Sequence, residues 1–397
     1  MDSGSIAWIL TSTALVLMMT LPGLALFYAG MVRRSNVLST MMQSLGAAAV
    51  VTVLWALIGY SLAFSDGGPV QSFVGGFDRI GLAGLTPETE SGGLPENLFF
   101  MFQMTFAIIT VAIIAGAVVE RIRFSAFLIF AGIWLVLVYA PICHWVWGGG
   151  FLADAGVHDF AGGAVVHINA GVAGLILAKF VGPRKGYPQS MSPPDNLVLT
   201  VVGAGLLWVG WFGFNGGSAL AADGVAAHAF VTTQIAAASA VLVWMGIEWI
   251  TRGQASVLGA ASGAIAGLVA ITPAAGLVPS WSAFIIGAGG AAAAYWGVTG
   301  LKRWGKWDDS LDAFGLHGVG GLVGAVLTGV FAADNGLITG NILQVWTQTW
   351  GALAAALYSG VMTFVIVFAL SKVMKLRVTE EEETQGLDTS LHGESVN

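Results

Sequence analysis

The sequence predicts an all-α polytopic membrane protein: eleven transmembrane helices, arranged as inverted five-helix repeats plus one extra long helix. Three observations predict it. Hydrophobic residues fill 56% of the 397 positions and charged residues only 9%, whereas soluble domains carry about 25% charged residues. Apolar windows of about 20 residues, the length that crosses hydrocarbon as a helix, recur along nearly the whole chain. The basic residues fall, loop by loop, on one side of those windows.

The windows lie at roughly 6–30, 38–64, 97–119, 124–147, 161–181, 197–214, 226–250, 255–271, 279–300, 313–332 and 342–376. The first lacks a basic leader and is too long for a signal peptide's apolar core, so it reads as a retained span. Arg33, Arg34, Arg121, Arg123, Lys179, Arg184, Lys185, Arg252, Lys302, Arg303, Lys306, Lys372, Lys375 and Arg377 share one side; only Arg79 falls on the other, beside Asp66, Asp78, Glu88, Glu90 and Glu96. Positive charge stays inside, so the N-terminus is outside and the C-terminus inside. Five spans end on the side opposite to where they began, and a second set of five must then run inverted. Repeat one covers about 6–181, repeat two about 197–332, and the eleventh helix about 342–376. Residues 1–376 thus form the transmembrane domain, and 377–397 a polar, acidic cytoplasmic tail whose composition alone is that of a disordered segment.

Composition also excludes. The net charge of −7 says little about nucleic acid, because the charges sit in short loops and the tail; no nucleic-acid partner is expected, and the apolar runs imply the lipid bilayer as partner. One cysteine, Cys143, forbids an intrachain disulfide. Cys143 and His144 are adjacent, but no CxxC, HExxH or GxxxxGK[ST] pattern accompanies them, so no metal, cofactor or nucleotide-driven step is expected, and no enzyme. Glycine, 56 residues, is dense with alanine through the fifth to tenth windows and lets helix backbones approach closely, which favours a tight bundle with a narrow conduit.

The stretch from Asp159 to Ala178 organises the rest. Asp159 stands at its start and His167 eight residues on, roughly 12 Å along a helix. His317 lies in a similar glycine-rich helix, the last of the second repeat, and each histidine has an aspartate upstream (Asp159, Asp312). Inverted repeats place their functional site at the repeat interface near mid-membrane, so the two imidazoles are expected to meet there. A lone membrane histidine commonly just bonds two helices together; a pair across repeats points instead to a lumen. Hydrocarbon favours the uncharged ring, with one donor and one acceptor nitrogen, suited to a small polar solute or a proton. For Asp159 two roles are open, capping a helix N-terminus and lowering the energy of a cation at the outer mouth. The aromatics Trp145 and Trp147, Phe102 and Phe106, and Trp211, Phe212 and Phe214 gather near that mouth, as an interfacial belt or as a cation–π cup to which Ser218 adds an acceptor.

The strings FYAGMVRRSNVLS, ERIRFSAFLIF, HWVWGGG, DFAGGAVVHINA, GWFGFNGGSA, DAFGLHGVGG and GLDTSLHGES, spread over essentially the whole chain, resemble the ammonium transporter family (Amt/MEP/Rh), in its prokaryotic Amt type. The resemblance implies a homotrimer in the cytoplasmic (inner) membrane, with one pore per subunit carrying ammonium, ammonia and methylammonium. It implies that Trp147, Phe106 and Ser218 recruit ammonium, with Asp159 in support. Phe106 and Phe214 would form the gate, and His167 and His317 would line the pore and relay protons. It further implies that the tail regulates gating and meets a PII-type signal protein. Gly216 and Gly217 stand where some relatives have alanine. Two other readings remain beside transport: an ammonium sensor working with a partner, and a neutral-gas (carbon dioxide) channel of Rh type.

Overall fold

A computed structural model describes residues 2–396. Hydrocarbon offers backbone N–H and C=O groups no partner, so each apolar window satisfies them internally as a helix. Ten helices are long and apolar enough to cross a membrane among the described residues: α1 Ser3–Ala29, α2 Arg34–Phe64, α3 Glu96–Ala115, α4 Phe124–Asp154, α5 Gly163–Val181, α6 Leu197–Gly216, α7 Gly224–Arg252, α9 Ser282–Gly305, α10 Phe314–Phe331 and α11 Leu343–Val373. A shorter apolar helix, α8 (Val257–Ile271), completes the set. Every expected window coincides with one of these, with ends shifted by a few residues.

Burial sorts the helices into layers. α3 is enclosed along nearly its whole length, whereas α7, α9 and α11 turn one face outward. Leu242 and Ile250 of α7, Trp296 and Trp304 of α9, and Leu357 and Phe364 of α11 are exposed there, the outer face expected of a bundle solvated by lipid. At the bundle centre α5 and α10 cross at Gly171 and Gly318. A Cβ on Gly171 would overlap the Gly318 backbone, so only glycine permits the crossing.

Single π-helical turns recur in helices five apart in chain order. They occupy Met19–Leu24 and Phe212–Gly216 in α1 and α6, Leu135–Tyr139 and Gly297–Leu301 in α4 and α9, and Gly163–Ile168 and Phe314–Val319 in α5 and α10. One more, Trp55–Gly59, lies in α2. Such turns widen the helix and often mark functional positions. The last pair holds His167 and His317.

The C-terminal segment differs from what its composition suggests. It forms two short helices, α12 (Glu380–Gln385) and α13 (Leu387–His392), the first opened by a reciprocal capping box between Thr379 and Glu382. Its acids have partners on the bundle, which composition cannot reveal. Asp388 is buried and accepts from the N–H groups of Leu38 (3.1 Å) and Ser39 (2.7 Å) near the start of α2. Glu382 pairs with Arg123 at 3.0 Å, and Glu383 accepts the Lys185 N–H at 2.7 Å.

Candidate functional site: an aromatic cup above paired histidines

The site begins where α5 begins. Gly162 takes a left-handed conformation (φ 113°), which turns the chain into the helix. The buried Asp159 carboxylate then collects four free N–H groups, from Gly162 (3.0 Å), Gly163, Ala164 (2.9 Å) and Val165 (3.0 Å). This is helix capping carried to its limit: every lone-pair direction of the carboxylate faces an N–H. The backbone carbonyl of the same residue accepts the Trp147 indole N–H at 2.8 Å. Asp159 therefore fixes both the π-helical turn that carries His167 and the tryptophan from α4.

Trp147 is one wall of an open cavity of about 290 Å³. Phe106 meets it edge-on, with centroids 5.8 Å apart at 89°, and Phe102 packs on Phe106 at 5.0 Å. Ser218 lines the cavity and donates its hydroxyl proton to the Phe214 carbonyl at 2.8 Å, which leaves its oxygen free to accept. Phe64, Phe99, Gln103, Phe160 and Leu220 also line it. The sequence reading missed these five; only position on a shared helix face with Phe102 and Phe106 could have suggested Phe99 and Gln103. Gln103 is the notable one, because its Oε1 is buried without a hydrogen-bond partner.

Below the cavity the path is closed by rings. Phe106 and Phe214 lie 4.3 Å apart at 34° and are both buried. Beneath Phe214, at 6.0 Å, comes His167, and then His317 at 5.2 Å in near-parallel orientation. Their Nδ1 atoms are 3.1 Å apart. Two neutral rings in this contact hold complementary tautomers, one donating through Nδ1–H and the other accepting. His167 Nε2 has no partner. Trp211, grouped with the outer mouth in the sequence reading, stacks deeper, on His167 at 5.4 Å. His144 turns its ring nitrogens to the carbonyls of Ala63 (2.9 Å) and Gln71 (2.6 Å), a structural role.

The aspartate paired with His317 needs correcting. Asp312 is partly exposed and accepts from Lys302 at 2.6 Å. The buried counterpart of Asp159 is Asp309, whose carboxylate takes the N–H groups of Ala313 (3.0 Å) and Phe314 (2.7 Å) at the start of α10. It stands eight residues before His317, as Asp159 stands eight before His167. A match on that spacing would have found it. Burial pushes the Asp309 carboxyl up to about 6.

This architecture is that of a multi-pass helical membrane protein built around a buried central path. The chain belongs to the ammonium transporter family: the description Ammonium Transporter Family matches residues 7–397. It is similar to the ammonium transporter of Bacillus subtilis (49% identity, covering 100% of this chain and 99% of that protein) and to ammonium transporter Amt1 of Archaeoglobus fulgidus (44%, 99% of each). Among solved structures it is similar to Candida albicans Mep2 (TM-score 0.90, 37% identity, 96% of this chain and 87% of that one) and to a sensor Amt protein (TM-score 0.91, 29%, 98% of each).

Proposed function

We propose that the chain is an ammonium transporter with eleven membrane crossings, its N-terminus outside and its C-terminus in the cytoplasm, assembled as a trimer in the cytoplasmic membrane. Trp147, Phe106 and Ser218 hold ammonium at the outer cavity. Ring faces stabilise a partly dehydrated cation by about 0.5–2 kcal/mol each, and the free lone pairs of Ser218 replace part of its water shell. The closed ring pair Phe106 and Phe214 makes passage with charge costly. Ammonium gives up its proton there, with Asp159 lowering the energy of the cation from beneath the cavity. Ammonia then passes His167 and His317, and the proton travels separately along the imidazole pair.

The observation that carries this reading is the unbroken column Trp147–Phe106–Phe214–His167–His317, an acceptor and aromatic faces leading into paired neutral bases. A carbon dioxide channel has no use for the acceptor and ring faces at the mouth. The tail, residues 377–397, is the regulatory segment, offered to a PII-type signal protein at the cytoplasmic exit. Purified protein in liposomes should carry methylammonium and exclude potassium, which matches ammonium in size but has no proton to lose. Equal fluxes of the two would end this account.

A further inference from the structure

We propose that α11 is a splint for the lead-in to α5, and that Gln348 is the residue that positions Asp159 and, through it, the outer cup. This rests on the transport reading above.

α11 presents Trp346, Leu353, Leu357, Val361 and Phe364 outward, yet it buries two primary amides one turn apart, Gln344 and Gln348, at 5% and 1% exposure. Burying an amide without partners costs about 1–3 kcal/mol, so such groups are placed where their bonds are made. Gln348 uses both ends of its amide on one residue: Oε1 accepts the His158 N–H at 2.7 Å and Nε2 donates to the His158 carbonyl at 2.6 Å. Gln344 donates to the Gly156 carbonyl at 3.0 Å, and Gly351 lies against Val157, where a Cβ would come within 2.6 Å of a Val157 methyl. The His158 ring is held in turn by Asn335 at 3.1 Å. Further down, Ser359 donates to the Asn169 carbonyl at 2.8 Å.

These ties bracket the functional stretch. Gly156 and His158 precede Asp159, and Asn169 follows His167. The very next residue after His158 holds the Trp147 indole through its carbonyl and four amides of the π-helical turn through its carboxylate. Displacing the His158 backbone therefore moves one wall of the cavity and the turn that aims His167 together. Gln348 does not line the cavity. Its influence passes through Asp159, which makes it a positioning residue.

The test compares Gln348→Met, similar in shape but unable to bond either way, with Trp346→Leu on the outward face of the same helix. Two readouts are taken: hydrogen exchange of the Gly162–Val165 amides, and methylammonium uptake by proteoliposomes. For Gln348→Met the exchange should quicken at least tenfold and KM rise about tenfold, with turnover per folded molecule falling severalfold as the turn that aims His167 shifts. Trp346→Leu should change neither. Where Gln348→Met yields too little folded protein, Gln344→Met, which frees only the Gly156 carbonyl, carries the same test with a smaller shift of the same kind. Unchanged exchange, or lost turnover at unchanged KM, would overturn the proposal. Wild-type liposomes that take up no methylammonium would instead refute the transport reading, while the exchange arm still decides this one.

Discussion

At the scale of single residues, Asp159 has more to do than its position at a helix start suggests. One carboxylate satisfies four amides, and its carbonyl holds an indole. Asp159→Ala leaves those amides without an acceptor in a dry setting and should destabilise the protein by about 1–3 kcal/mol, read as a lowered Tm in detergent. Asp159→Asn keeps one acceptor oxygen, so it should recover part of that stability while still slowing methylammonium uptake. The histidine pair allows a different separation. Leucine at His317 removes the partner of His167 Nδ1 (3.1 Å) without touching the aromatic cavity. Current after an ammonium jump should fall at least tenfold in His317→Leu while methylammonium still competes at the cup.

At the scale of elements, the crossing of α5 and α10 sets how closely the two rings approach. Gly171 permits it because a side chain there would run into the Gly318 backbone, which has no room to yield. Gly171→Val should therefore part the helices and cost about 1–3 kcal/mol by overpacking, seen as a lower Tm together with lost transport. Much at this scale was legible in the sequence. The windows coincide with helices because hydrocarbon thickness and backbone satisfaction leave the chain few choices. The recurrence of π-helical turns in helices five apart was not legible. A π turn depends on packing against neighbours and leaves no periodic signature in composition.

At the scale of the whole molecule, the helix ends beside the tail are tied by a buried ion network. Glu120 accepts from Arg33 (3.3 Å) and Arg184 (2.7 Å), and Arg184 also pairs with Asp308 at 2.7 Å. Burial by itself would raise both carboxyls, but Arg184 and the surrounding hydrogen bonds hold each below its usual range. Carboxyls held low contribute stability that is present above their unfolded values, near 4, and lost as the pH falls through their folded ones. Asp309 runs the other way. With its folded value raised to about 6, protonation is favoured in the folded state, and stability should rise as the pH drops from about 6 toward 4. Thermal unfolding against pH should show that rise in the wild type, and Asp309→Asn should flatten it. The tail offers a second check at this scale. Asp388→Ala removes the acceptor for two amides of α2, and hydrogen exchange over Glu380–His392 should quicken while the core helices stay protected.

By itself the sequence determined the apolar helices and the family, and it named the residues that the structure stacks in a column, because each rests on local chemistry: hydrocarbon demands long apolar runs, and an ionisable or aromatic residue in a rare setting is visible where it stands. Tertiary structure decided what depends on partners distant in the chain. It chose Asp309 over Asp312 as the buried cap, moved Trp211 from the mouth to the side of His167, and brought Gln103 into the cavity wall. It also seated an acidic tail on basic and amide groups some 260 to 350 residues away in sequence. A carboxylate or amide looks the same in a sequence whether it faces water or completes a buried network, and only the packed bundle distinguishes the two.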